Sequence, residues 1–93
     1  MALVHTNSQI GTTPIKIVQM PSGLQQLVAC QIYNNTGAAI FLGDVTVSAT
    51  GANQGNSIAQ GASVQIWLGS NDALYAICAT SPSGYISVLY AGV

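Results

Sequence analysis

Beyond its hydroxyls, the chain offers few side chains that could do chemistry: Asp44, Asp72, His5, Cys30, Cys78 and Lys16. General acid–base catalysis needs paired carboxylates or a positioned imidazole. Asp44 follows the apolar run "AIFLG" and Asp72 follows "WLGSN". Both positions read as turns, where an Asp carboxylate accepts from nearby backbone N–H groups, so both are expected to be structural. His5 sits in a polar stretch and is expected to be exposed or at an interface. No G-x-S-x-G elbow or comparable motif supports a Ser–His–Asp triad. Cys30 and Cys78 fall on apolar strand faces, where thiols are inert, and in a reducing cytoplasm they are expected to be free. An inter-sheet disulfide is the alternative. Zinc needs more ligands than two Cys and one distant His, and calcium needs several convergent oxygens. The glycine-rich "GANQGN" (Gly51–Asn56) lacks the lysine and following helix of a phosphate loop. The expectation is therefore no enzyme, no cofactor and no metal.

The aromatic and amide residues are a more promising set. In "SVQIWLG", Val64, Ile66 and Leu68 alternate with Gln65 and Trp67. If the aliphatic set faces a core, the only tryptophan of the chain points away from it. Trp67, Tyr33, Tyr75 and Tyr85 could stack on sugar rings while Gln31, Gln65 and Asn71 bond their hydroxyls. They could equally pack at a subunit interface, where Trp and Tyr are enriched. Charge decides between the two. Lys16, Asp44 and Asp72 are the only formal charges, 3% of the residues, for a net charge of −1, whereas about 25% charged is usual. Such a surface lacks colloidal repulsion and is tolerable when other subunits cover it. Trp67, Tyr33, Tyr75, Tyr85 and Gln65 are accordingly expected at an interface. A basic patch is missing, so nucleic acid is not an expected partner, and nothing attracts an anionic membrane. An ice-binding surface would need a regular threonine array, and the threonines are scattered.

These residues are placed by short strands. The dominant signal is period-two alternation broken by Gly, Asn and Ser, with nothing repeating at helical spacing. Strands are predicted at Leu3–Gln9, Pro14–Gln19, Leu27–Asn34, Ala39–Gly43, Val45–Ser48, Ser57–Ala59, Ser63–Leu68, Leu74–Thr80 and Tyr85–Ala91. Turns are predicted at Met20–Gly23, Asn34–Gly37, Gly69–Asp72 and Ser81–Gly84, with Thr50–Asn56 as the longest and most mobile loop. Val28, Cys30 and Ile32 share a face opposite Gln31 and Tyr33. Leu74, Ala76 and Cys78 oppose Tyr75, Ile77 and Ala79, and Ile86, Val88 and Tyr90 oppose Tyr85, Ser87 and Leu89. The last two strands are thus apolar on both sides, which suggests a second face covered by another subunit.

At 93 residues the chain is one domain, residues 1–93, with enough apolar content for a small core. The predicted class is all-β: a single small antiparallel β-sandwich or jelly-roll-like domain of about eight short strands, with a small closed barrel as the alternative. The start "MALVHTNSQIG" lacks the basic and apolar regions of a secretory signal, and the longest apolar run, "AAIFL", is far short of a membrane span. The chain is expected to be made in a cytoplasm, where the Asn34-Asn35-Thr36 sequon is a chance match.

From "IYNNTGAAIFLGD" through "GNSIAQGASVQIWLGSNDALYAICA" to "YISVL", the sequence resembles small virion proteins of tailed bacteriophages. The likeness rests on pattern and spacing and covers about Leu3 to Leu89. It implies a capsid decoration (cement) protein on the virion's capsid surface. Its partners would be its own copies, as a homotrimer near local three-fold axes, and the phage major capsid protein. Another head or tail component, or a carbohydrate-binding module contacting host glycans, is the alternative. The low charge departs from any electrostatic account of capsid docking.

Overall fold

A computed structural model of the chain describes residues 3–80 and 84–91. Eight strands form: β1 (Leu3–Gln9), β2 (Ile15–Gln19), β3 (Val28–Asn35), β4 (Ile40–Gly43), β5 (Asn56–Ile58), β6 (Ser63–Leu68), β7 (Ala73–Cys78) and β8 (Tyr85–Ala91). No helix occurs among the described residues. Most of the predicted turn at Ser81–Gly84 lies outside them.

The strands make two four-stranded antiparallel sheets, ordered β1-β8-β3-β6 and β2-β7-β4-β5. β1 pairs with β8, β2 with β7, β3 with β6 and β4 with β5. One long hairpin rolled on itself produces this nesting, and it is the jelly-roll order. The structure is thus a sandwich and not a closed barrel.

Alternation sorts the side chains as expected. Cys30 and Ile32 of β3, Ile86 and Val88 of β8, Leu74, Ala76 and Cys78 of β7, and Ile40 and Leu42 of β4 meet between the sheets. Ile10, Met20 and Ile58 complete the core from the strand ends. Both cysteines are buried free thiols there, and burial pushes the Cys30 thiol pKa up.

One end of the sandwich is closed by polar groups. Asn34 of β3 turns its side chain inward and is fully buried. Its Nδ2 donates to the carbonyls of Ala38 and of Ile58 on the other sheet, both at 2.8 Å. Its Oδ1 accepts from the Thr36 amide at 3.0 Å and the Thr36 hydroxyl at 2.7 Å. With both amide protons engaged and the side chain enclosed, the sequon asparagine is closed to modification in the folded chain.

Val45–Ser48 does not form the predicted strand. Asp44 Oδ1 accepts from the Thr46 amide at 2.9 Å and the Thr46 hydroxyl at 2.6 Å, and the Val47 amide donates to Asp44 O at 3.0 Å. This turn folds the segment back over the outer face of the β2-β7-β4-β5 sheet, where Val47 is buried. Two glycines make room: a methyl group on Gly43 would lie 2.9 Å from Val47 Cγ2, and one on Gly55 only 2.6 Å from the same atom. The loop that follows is internally bonded, with Ser48 N donating to Asn53 O, Gly55 N to Ser48 O and Gln54 Nε2 to Ala49 O.

Candidate functional site

The outer face of the β1-β8-β3-β6 sheet is where the register collects the residues singled out above. Its side chains fall into four rungs across the strands. At one end Leu3 lies beside Ala91, and Ala29 beside Trp67. Next come His5, Leu89, Gln31 and Gln65, then Asn7, Ser87, Tyr33 and Ser63. Gln9, Tyr85 and Asn35 form the last. Trp67, Tyr33, Tyr85 and Gln65 therefore share one surface, as does His5. Trp67 is 59% exposed, Tyr85 51% and Leu3 73%, high values for side chains of their size.

The face carries no carboxylate, lysine or arginine. Hydrogen bonds on it are between neutral groups: Ser87 Oγ donates to Asn7 Oδ1 at 2.8 Å and Gln31 Nε2 to Ser63 Oγ at 3.4 Å. Polarity is graded along the strands, from the aliphatic and indole rung to the amides at the far end. Beside the apolar rung, the loop Pro21–Val28 and Ala91 frame an open concavity of about 580 Å³. That loop is held by Ser70, whose Oγ accepts from Leu24 N at 2.6 Å, and by Met20 N donating to Asp72 O at 2.8 Å. Leu27, 60% exposed, extends the apolar rung past the strand ends.

Tyr75 does not join this set. It belongs to β7 in the other sheet, half-buried on that sheet's outer face between Lys16 and Gly43. Its neighbour Ile77 also points outward, beside Phe41, yet is 7% exposed. The second apolar face of β7 is thus covered by the chain itself, whereas that of β8, with Tyr85 and Leu89, stays open.

The candidates for chemistry stand apart. Asp44 is fully solvated, and the Thr46 hydroxyl and amide hold its pKa below the ordinary aspartate value. Asp72 Oδ2 accepts from Gly69 N at 2.7 Å, closing the turn after β6. Both carboxylates serve local turns, as their settings predicted. Among the described residues no three His, Cys, Asp or Glu side chains converge on one point, and no helix is long and apolar enough to cross a membrane.

What this geometry can do is bind by area. Four strands about 4.8 Å apart and four rungs about 6.8 Å apart make a surface of roughly 500 Å² in projection. That is a modest contact beside the ~800 Å² of accessible surface per partner in a standard stable interface. One such face gives weak attachment, and several copies acting together give strong attachment. No family model matches the chain, and no curated protein or solved structure matches it either.

Proposed function

We propose that the chain is a structural subunit of a tailed-phage virion, a decoration (cement) protein. It attaches as a homo-oligomer to the outside of the head and clamps neighbouring major capsid subunits. The observation that carries this reading is the uncharged outer face of the β1-β8-β3-β6 sheet, with Trp67, Tyr33, Tyr85, Leu89 and Leu3 exposed on it. The resemblance of its sequence pattern to small phage virion proteins supports it, as does the jelly-roll order, an architecture found in viral capsid domains. The oligomer implied by that resemblance is a trimer, and three weak faces on one particle make a tight attachment. Function on this reading involves no catalytic step and no cofactor. The chain is made in the host cytoplasm and ends on the capsid surface.

A glycan-binding reading is favoured by one feature. Trp67 and Tyr33 bracket Gln31 and Gln65 on one face, a platform on which a sugar could stack while the amides bond its hydroxyls. Heating expanded heads with and without the added protein separates the two. Heads that lose DNA or disassemble at a lower temperature without it support the cement role. Equal robustness, together with binding on a glycan array, transfers the face to carbohydrate.

A further inference from the structure

The β6 edge of the sandwich has a register that fits a second copy of itself. Asn34 N donates to Ala62 O at 3.0 Å at the start of the β3–β6 ladder, and the pairing runs to Leu68 without a shift. Antiparallel alternation then turns the backbone groups of Val64, Ile66 and Leu68 toward β3. Those of Ser63, Gln65 and Trp67 point outward from the sheet. Among the described residues, no loop or side chain bonds to them.

Edge strands normally carry a guard against pairing, such as a charge, a proline, a bulge or shortness. β2 carries Lys16 and a register shift beside it, and β5 is three residues long. β1 turns Thr6 and Ser8 toward the sandwich interior, so its edge offers polar groups. β6 has none of these protections. Its inward residues Val64 and Ile66 are only half-buried, at the mouth of a cleft shared with Ile58 and Ala62.

We propose that two copies of this chain pair antiparallel through β6, with Gln65 opposite Gln65 about a two-fold axis, making one eight-stranded sheet. In this register Ser63 of each copy lies opposite Trp67 of the other. Every outward N–H and C=O of the three residues then finds a partner. Gln65 is suited to the axis because its uncharged amide both donates and accepts, so two of them bond each other. On the interior side, Val64 of each copy meets Ile66 of the other and closes the cleft that a single copy leaves open. The absence of charge on both strands removes the repulsion that like charges directly opposite would create. The contact does not depend on the capsid. It forms in the isolated protein, and on a head it would join copies across a two-fold.

The outward N–H of Gln65 gives a selective test. Proline is tolerated on an edge strand when its missing N–H faces solvent. Gln65→Pro therefore keeps the β3–β6 ladder and removes both hydrogen bonds at the two-fold. Gln65→Lys places two ammonium groups opposite one another and serves if the proline variant does not fold. Sedimentation velocity of the isolated wild type should show an even-numbered species, a dimer or, where the trimer contact also forms in solution, a hexamer. Either folded variant should halve its mass, with the circular dichroism spectrum retained. A wild type that is monomeric or odd-numbered, or folded variants that sediment like wild type, would overturn the proposal. Neither of those results would touch capsid stabilisation, which the heat assay reads separately.

Discussion

Replacing Asn34 by alanine tests how the two sheets are held together at their closed end. The change deletes two donated and two accepted hydrogen bonds, all between 2.7 and 3.0 Å. The Ala38 carbonyl keeps a donor, because the Thr36 hydroxyl lies 2.9 Å away. The Ile58 carbonyl and the Thr36 amide lose their side-chain partner in a fully buried site. Each buried orphan costs about 1–3 kcal/mol, so the loss is roughly 2–6 kcal/mol. A domain this size is stable by about 5–14 kcal/mol, and each 1 kcal/mol lowers Tm by about 4–8 °C. A fall of roughly 10–50 °C follows. Circular dichroism is the proper probe, since Trp67 is already largely exposed in the folded state. Asn34→Asp adds a sign. It keeps the acceptor for Thr36 but turns an anion toward two carbonyl oxygens. That raises the folded-state carboxyl pKa above the unfolded value near ~3.9. The variant should thus be most stable below that unfolded value, losing stability as pH rises through the folded one. A cost under about 1 kcal/mol for Asn34→Ala, the size of one ordinary hydrogen bond, would refute the hub. So would an Asn34→Asp penalty independent of pH.

Trp67→Ala should leave folding intact and weaken association or capsid attachment by about 2–4 kcal/mol, roughly 30- to 1,000-fold, read by sedimentation and capsid pull-down. Ile32→Ala, a fully buried position on the inner face of the same sheet, should do the reverse and cost about 2–5 kcal/mol of folding stability in a denaturant melt. Gly55→Ala should destabilise the Asp44–Gly55 loop, because its methyl meets Leu42 O and Val47; hydrogen exchange at the Val47 and Gly55 amides should speed up. The Asp44 carboxyl should titrate below the ordinary aspartate value by NMR and return toward it in Thr46→Val. Its depressed pKa means that the turn's stabilisation is present above the unfolded value and is lost as pH falls through the folded one.

Alternation alone located β1, β3, β6 and β8 to within a residue, because each has one face in a continuous core. It misread Val45–Ser48, which alternates like a strand but follows an aspartate, Asp44, whose side chain bonds two residues ahead. Whether such a segment pairs or folds over depends on space above Gly43 and Gly55, which no local pattern reports. The site was half legible. That Trp67, Gln65, Tyr33 and Tyr85 point outward follows from parity. That they lie together, while Tyr75 does not, follows from strand order: consecutive strands β6, β7 and β8 alternate between sheets. β7 and β8 are alike in sequence, yet only β8 keeps its second face open. Asn34 was the residue missed, because an asparagine in "NNTG" reads as turn chemistry; only its position inside the sandwich makes it a link between sheets.

On the proposed reading the outer face of the β1-β8-β3-β6 sheet is covered in the virion. On the same reading the chain is encoded by a tailed phage, and cryo-electron microscopy of that phage's particles is the test. Copies of this sandwich are expected on the head exterior, with Trp67, Tyr33 and Leu89 buried against capsid or neighbouring copies. A chain missing from the head, or bound there with that face turned to solvent, would contradict it.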